Sequence, residues 1–189
     1  VIKQTGYDKI FPYIAYIPET LSDHPALIIQ LHGAGERGNG TDELDKVLVH
    51  GFPNIVNDEN LKDCILIMPQ CACESFWVAR IESIKKFIDL AIEEFSVDTD
   101  RVYLCGISMG GYGTWEMGIC HRDYFAAMAP VCGGGLSWRA GALRGQKIRV
   151  FHSVDDTVVP FSYSEQMVSA AKACGADVMF FPTDRYGHN

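Results

Sequence analysis

The sequence lacks several features that would each point to a particular class of protein. It has 16 Lys and Arg against 24 Asp and Glu, a net charge of −8 over 189 residues. This deficit of basic residues argues against broad binding to nucleic acid or to anionic membranes, which needs a basic surface. No apolar run approaches the ~20 residues that span a bilayer. With 48% hydrophobic and 21% charged residues, and no repeat or low-complexity segment, the chain is expected to be an ordinary globular protein.

The cysteines do not form a pattern that indicates disulfides or a metal site. There are seven, an odd number, so they cannot all pair within one chain. Cys64, Cys105 and Cys132 lie in apolar runs, where a cysteine is usually a small buried hydrophobic residue. Cys71 and Cys73 are one residue apart, which is too weak a pattern for zinc. We therefore expect a reduced chain without a metal or other cofactor.

The length of 189 residues suits one catalytic domain over 1–189. The chain begins at Val1 without a recognisable signal peptide. It is therefore expected to be either a domain of a longer protein or a processed mature chain. A cytoplasmic enzyme and the catalytic domain of a secreted enzyme both remain open, and the sequence does not predict an oligomeric state.

Short apolar runs alternate with helical patterns along the chain. The strands are predicted at 11–17, 26–31, 64–68, 102–105, 126–131, 148–152 and 178–181. The apolar residues of 81–95 recur at helical spacing, and 162–173 is a second predicted helix that ends before Gly175. Continuous apolar strands separated by helices predict an α/β fold with a mostly parallel sheet and helices on both faces.

The clearest chemical motif is the run Gly106-Ile107-Ser108-Met109-Gly110, which fits G-x-S-x-G. It stands between a predicted strand and a helical pattern, which is the setting that a nucleophilic serine on a tight turn requires. The alternative is a glycine-rich turn whose serine has no chemical role. The strand and helix on either side favour a nucleophile at Ser108.

A serine nucleophile needs a base, and the base needs an orienting acid. In folds with this turn the chain order is serine, acid, histidine, which favours His188 as the base. His152 comes before both candidate acids and is expected instead to form local hydrogen bonds that hold their loop. Asp155 and Asp156 are both suitable acids, and their spacing alone does not choose between them.

The glycine-rich loop at 32–38 is expected to help hold an oxyanion. Acyl transfer needs fixed N–H donors. One is expected from Met109, directly after the nucleophile, and the other from Ala34 in this loop. A phosphate-binding loop is the alternative, but neither the G-x-G-x-x-G spacing nor a GK[ST] ending is present. Glu36 and Arg37 are expected to pair with each other or with neighbouring loops, unless Arg37 contacts a substrate carboxylate.

Four segments together resemble the α/β-hydrolase superfamily. They are LHGAGERG at 31–38, MPQC at 68–71, GISMGGYGTWEMG at 106–118 and HSVDDTVVP at 152–160. The likeness is to the esterase branch that includes predicted peptidases, phospholipase/carboxylesterases and feruloyl or acetylxylan esterases. The resemblance implies that Asp156 is the acid and that Ala34 and Met109 are the oxyanion donors. It also implies that Trp77 lies near the substrate cleft, with an aromatic ring packed into the core as the alternative. Ser153 stands where that family commonly has glycine.

The resemblance also suggests an open site. Lids in this superfamily often follow the strand that corresponds to 126–131, and here the connection 132–147 is too short for a helical cap. We expect an open cleft bordered by Trp138 and Trp77. The family usually continues beyond its catalytic histidine, whereas this chain stops at Asn189, so a truncated carboxyl terminus is expected.

The resulting prediction is a serine hydrolase that cleaves carboxylic esters with Ser108, His188 and Asp156. The expected substrates are short-chain acyl esters or acyl and feruloyl groups on a polysaccharide, without nucleic-acid or membrane partners. One alternative is a peptidase or thioesterase that uses the same residues. The other is a binding module on a hydrolase fold without catalysis.

Overall fold

The structure, a computed structural model, describes residues 2–7 and 10–188. It contains an eight-stranded sheet and, in this part of the chain, three α-helices of twelve residues or more. The strands are β1 Ile2–Tyr7, β2 Pro12–Ile17, β3 Ala26–Leu31, β4 Cys64–Pro69, β5 Val102–Ile107, β6 Ala127–Val131, β7 Lys147–Ser153 and β8 Asp177–Thr183. The helices are α1 Asp58–Leu61, α2 Ile81–Phe95, α3 Met109–Cys120 and α4 Phe161–Ala173.

The sheet has the strand order β1-β2-β4-β3-β5-β6-β7-β8. The pairs β1/β2 and β2/β4 are antiparallel, and all pairs from β4/β3 to β7/β8 are parallel. The predicted mostly parallel sheet is therefore confirmed. Because parallel strands end at the same edge of the sheet, the loops after β3, β5, β6 and β7 meet there.

The two faces of the sheet carry different cores. The larger core joins inward residues of β3, β5 and β7 to the apolar faces of α2, α3 and α4. Alternate residues of β2 and β4, including Ile14, Leu66 and Met68, point to the opposite face. There they pack against the short helix α1 and a 3₁₀ turn at Leu44–Leu48. The sheet that carries the strand ends is therefore packed on both of its faces.

The predicted elements match the structure to within one or two residues at most ends. The helix predicted at 81–95 has those bounds, and the one predicted at 162–173 begins at Phe161. The strand β1 was not predicted, because its sequence IKQTGY contains no apolar run and it lies at the edge of the sheet. Position 189 lies outside the described residues.

The segment between β6 and β7 carries no lid domain. Its regular structure is one 3₁₀ helix at Ser137–Leu143, as the short connection predicts. All seven cysteines are free. Within the described residues, no helix is both long and apolar enough to cross a membrane.

Candidate active site

Ser108 occupies a strained turn between β5 and α3. Its backbone φ is 54° and ψ is −114°, a conformation that a non-glycine residue adopts at a cost and that is concentrated at functional sites. Two glycines make the turn possible. A Cβ on Gly106 would lie 2.3 Å from the Gly110 carbonyl oxygen, and a Cβ on Gly110 would lie 2.0 Å from the Leu31 oxygen. The predicted strand–turn–helix setting of the motif is therefore present.

Three side chains from distant parts of the sequence meet at this turn. His188 Nε2 lies 2.9 Å from Ser108 Oγ, and His188 Nδ1 lies 2.7 Å from Asp156 Oδ2. In this arrangement the Nδ1–H donates to the carboxylate, and Nε2 is left to accept the serine proton. The geometry is that of a nucleophile, a base and an orienting acid.

Asp156 is held as a buried, fully hydrogen-bonded carboxylate. Its side chain has 0% exposure, and its Oδ1 accepts from the amides of Val158 and Val159 at 2.8 and 2.9 Å. Burial acts to raise the pKa of Asp156, but the hydrogen bonds from His188 and these two amides outweigh it, so that the pKa is lowered. Asp156 is thus anionic where it faces the histidine.

His152 packs beneath the same carboxylate, as expected for a histidine that holds the acid loop. Its ring is fully buried, with Nε2 3.2 Å from Asp156 Oδ2 and 3.0 Å from the Val159 oxygen. Its Nδ1 lies 2.8 Å from Ser164 Oγ, which in turn donates to the Gly133 oxygen. The imidazole therefore links the acid loop to α4 and to the loop after β6.

Asp155 contacts the backbone next to His188 rather than its ring. Asp155 Oδ1 accepts from the Gly187 amide at 3.1 Å and from the Ser153 hydroxyl. Ser153 Oγ also accepts from the Tyr186 amide at 3.3 Å. Asp155 and Ser153 together fasten the loop that carries His188. Sequence reasoning did not assign this role to either residue, since only the folded chain brings 153–155 beside 186–187.

His32 fixes the loop that is expected to supply an oxyanion donor. Its Nε2 accepts from the Cys71 amide at 2.9 Å, so Nδ1 carries the proton and donates to the Gly33 oxygen at 2.6 Å. Because a trans peptide is planar with its C=O and N–H opposed, this bond turns the Ala34 N–H away from His32. Burial lowers the pKa of His32 from 6.5 to about 4, so the ring stays neutral, in this tautomer, at neutral pH.

The candidate oxyanion residues are brought to the same edge of the sheet. Ala34 lines a cavity of about 270 Å³ together with Ser108 and His188. Met109 is the first residue of α3, where the helix amides have no intrahelical acceptor. Arg37 does not pair with Glu36. Its Nε donates to the Ala34 oxygen at 2.9 Å and its guanidinium stacks over Phe76.

The two tryptophans expected at the cleft are placed differently. Trp77 has 0% exposure and is part of the larger core, and its Nε1–H donates to the His32 oxygen at 2.9 Å. The expectation that Trp77 borders the cleft is therefore corrected, because a fully buried ring has no surface left for a substrate. Trp138 is 80% exposed, but it is not among the residues that line the cavity around Ser108.

One group of side chains in the described part of the chain could hold a metal ion. The ligand atoms of Cys132, Asp156 and His188 lie within 4.8 Å of one another. Burial raises the pKa of the Cys132 thiol to about 11, so the protonated form, a poor ligand, dominates at neutral pH. Asp156 and His188 are already bonded to each other, and their geometry matches the serine chemistry better.

Comparison with known proteins gives relatives that are esterases. A feruloyl esterase B of Neurospora crassa is 28% identical over 138 residues, 67% of this chain and 45% of the relative. A bifunctional acetylxylan esterase/xylanase of Neocallimastix patriciarum is 26% identical over 161 residues, 79% of this chain and 22% of the relative. No family model matches. The chain thus spans less than half the length of these relatives.

Among solved structures, a thermostable esterase matches with a TM-score of 0.78 and 28% identity, over 97% of this chain and 54% of that one. An acetyl xylan esterase from Aspergillus awamori matches with a TM-score of 0.75 at 13% identity, over 100% and 94%, a likeness of fold alone. These findings confirm the α/β-hydrolase fold and the resemblance to its esterase branch.

Proposed function

We propose that this α/β-hydrolase chain is a serine hydrolase that cleaves carboxylic esters. The observation that carries the proposal is the unbroken chain of short contacts from Ser108 Oγ to His188 Nε2 and from His188 Nδ1 to Asp156, at 2.9 and 2.7 Å. An alcohol is a weak nucleophile at neutral pH, and a base within hydrogen-bond distance of the hydroxyl group, as His188 is of Ser108, activates it by taking up its proton. We also propose that 1–189 acts as one catalytic domain.

In the acylation step, Ser108 Oγ attacks the carbonyl carbon of the ester while its proton moves to His188 Nε2. The carbonyl electrons move onto oxygen, and backbone N–H groups of Ala34 and Met109 stabilise that charge. The tetrahedral intermediate then collapses. His188 returns the proton to the departing alcohol, and an ester between Ser108 and the acyl group is left.

In the deacylation step, water takes the place of the alcohol. His188 Nε2 accepts a proton from the water as it attacks the acyl carbon, and the same proton later returns to Ser108 Oγ as the acid leaves. Asp156 orients the ring and stabilises its charged form in both steps. No group other than the residues of this chain and water is needed for either step.

The substrates we propose are short-chain acyl esters or acyl and feruloyl groups on a polysaccharide. The names of the relatives, feruloyl esterase and acetylxylan esterase, support this class. The absence of a lid between β6 and β7, where the regular structure is a single 3₁₀ helix, leaves room for a large leaving group. We do not expect nucleic acid or membranes as partners, given the net charge of −8.

The proposal is tested by fluorophosphonate labelling together with an ester panel. Wild-type protein should be labelled at Ser108 and should hydrolyse acetyl, butyryl and feruloyl esters, and Ser108→Ala should lose both properties. Ser162→Ala, at an exposed serine on α4, is the matched control and should keep both. Matched thioester and amide substrates separate an esterase from a thioesterase or peptidase. Unlabelled, inactive wild-type protein would instead indicate a binding module.

A further inference from the structure

The cavity at Ser108 contains a polar pair that the catalytic steps do not use. Glu36 and His50 line it together with Ser108 and His188. Their side chains are 12% and 38% exposed, and Glu36 Oε1 lies 3.7 Å from His50 Nε2. This distance is too long for a direct hydrogen bond, so neither group satisfies the other, although both line the same cavity.

The Glu36 side chain has no evident structural role. Its Oε2 is buried without a hydrogen-bond partner among the described residues, and its Oε1 reaches only His50, at 3.7 Å. A buried polar atom without a partner destabilises a fold. A carboxyl group kept in this state beside a nucleophile is more readily explained by binding than by packing.

The carboxyl group is close to the reacting serine because Gly33 has no side chain. A Cβ on Gly33 would lie 2.9 Å from Glu36 Oε2 and 3.7 Å from Ser108 Cβ. Glu36 and Ser108 are therefore neighbours across this one glycine. A substrate group bound by Glu36 would lie within a few bonds of the ester carbonyl.

Two buried glutamines hold the pair in place. Gln30 donates to the His50 oxygen at 2.8 Å and accepts from the Phe52 amide at 2.8 Å. Gln70 donates to the backbone carbonyl oxygen of Glu36 at 3.0 Å. Both glutamines are at least 96% buried, with exposures of 4% and 1%. The backbone of Glu36 and of His50 is thus fixed from the sheet, as a preorganised binding site requires.

We propose that Glu36 and His50 form a subsite that binds a hydroxyl group of the substrate. A carboxylate only accepts hydrogen bonds, whereas a histidine N–H donates. A hydroxyl group satisfies both, and its oxygen can lie at about 2.8 Å from each atom. With the proton on His50 Nε2, an ammonium group would leave this N–H without an acceptor, and Glu36 would repel a carboxylate or phosphate. This inference rests on the proposed ester hydrolysis by Ser108.

The hydroxyl group could belong to the acyl part of the ester or to its alcohol, and two pairs of substrates separate these sources. The acyl pair is 4-nitrophenyl 3-hydroxybutyrate and 4-nitrophenyl butyrate. The alcohol pair is glycerol monoacetate and propyl acetate. For each pair the measured quantity is the ratio of kcat/KM for the hydroxylated ester over that for the plain ester.

The decisive variant is Glu36→Gln, which replaces the carboxylate by an uncharged amide of the same shape. We expect the hydroxyl ratio of one pair to fall about tenfold or more, the effect of losing a hydrogen bond to a charged group. His50→Ala, on a half-exposed side chain, should lower the same ratio and guards against misfolding of the first variant. Glu165→Gln, at an exposed position on α4, is the matched control and should leave both ratios unchanged.

The outcomes separate the subsite from the proposed function. A fall confined to the acyl pair or to the alcohol pair supports the subsite and identifies the source of the hydroxyl group. Equal losses on both members of each pair leave the ratios unchanged and overturn the subsite, while hydrolysis by Ser108 stands. If wild-type protein cleaves none of the four esters and is not labelled by fluorophosphonate, the proposed function fails and the subsite with it.

Discussion

Acidification should destabilise this protein through His32 before it affects the candidate acid. His32 is buried and neutral in the fold, since its Nε2 accepts from the Cys71 amide and burial lowers its pKa from 6.5 to about 4. In the unfolded chain the same imidazole takes up a proton near pH 6.5. Between these two values the unfolded state binds more protons than the folded one, so the free energy of unfolding falls as the pH is lowered.

The size of this effect follows from the two pKa values. With a folded pKa of about 4 against 6.5 unfolded, the free energy of unfolding falls by about 2 kcal/mol between pH 7 and pH 4.5, and the loss levels off below pH 4. Asp156 acts in a different range. Because its pKa is lowered in the folded protein, ionised Asp156 stabilises the fold at pH values above the unfolded pKa of 3.8, and this stabilisation is lost only below that pH.

Urea unfolding at half-unit steps from pH 7 to pH 4.5 measures the slope directly. His32→Asn removes the titrating group, so its free energy of unfolding should be lower at pH 7 but should change less with pH than that of wild type. The difference between the two slopes, integrated from pH 7 to pH 4.5, should be about 2 kcal/mol. Parallel curves for wild type and variant would refute the assignment of a buried neutral His32.

Four further changes probe the site. Asp156→Asn should lower kcat by about 10⁴-fold, and a loss below tenfold would count against this acid. His32→Asn keeps a donor near the Nδ1 position, which can still bind the Gly33 oxygen, whereas His32→Gln keeps only an acceptor near Nε2 for the Cys71 amide. Because the bond to Gly33 is the one that orients the Ala34 N–H, kcat should be about tenfold lower in His32→Gln than in His32→Asn. The reverse order would contradict this role of His32. Asp155→Asn should loosen the His188 loop and reduce kcat about tenfold, with unchanged rates as the contrary result. Gly110→Ala should fail to give folded protein by circular dichroism, because its methyl would lie 2.0 Å from a β3 carbonyl oxygen; a normal melting temperature would contradict this.

The parts of the fold that the sequence predicted are those with local causes. Strands buried on both faces, such as β3 and β4, read as continuous apolar runs. The turn at Ser108 needs small neighbours within two residues, so its motif is local as well. The edge strand β1 has neither signal. Its position comes from pairing with β2, which depends on residues elsewhere in the chain.

The choice between Asp155 and Asp156 shows where sequence spacing stops being informative. The two carboxylates are neighbours in the chain but have different partners. Asp156 contacts His152 and His188, whereas Asp155 accepts from the Gly187 amide. Contacts with residues some thirty positions away decide which carboxylate faces the ring. The family resemblance implied Asp156 as the acid, and this role stays a prediction that Asp156→Asn tests.

Trp77 illustrates the same limit for an apolar residue. It follows a strand by several residues and precedes α2, a place where an aromatic ring can face either solvent or core. The ring is buried against Phe11 and His32, and its N–H meets the His32 oxygen. Burial of a tryptophan at this position depends on whether another element supplies an acceptor for that N–H, which no local pattern reveals.

The site is held by buried polar side chains rather than by its loops alone. Gln30 and Gln70 bind loop backbone, His32 binds the Gly33 oxygen, and His152 binds the carboxylate of Asp156. Each lies at the end of a strand or directly after it and is at least 96% buried, with a hydrogen-bond partner for its polar group. Buried polar groups of this kind stabilise a fold little, but they fix a single geometry when every partner is present. The strand ends therefore determine more than the path of the chain, because their polar side chains fix the backbone of Gly33, Glu36 and His50 and the carboxylate of Asp156.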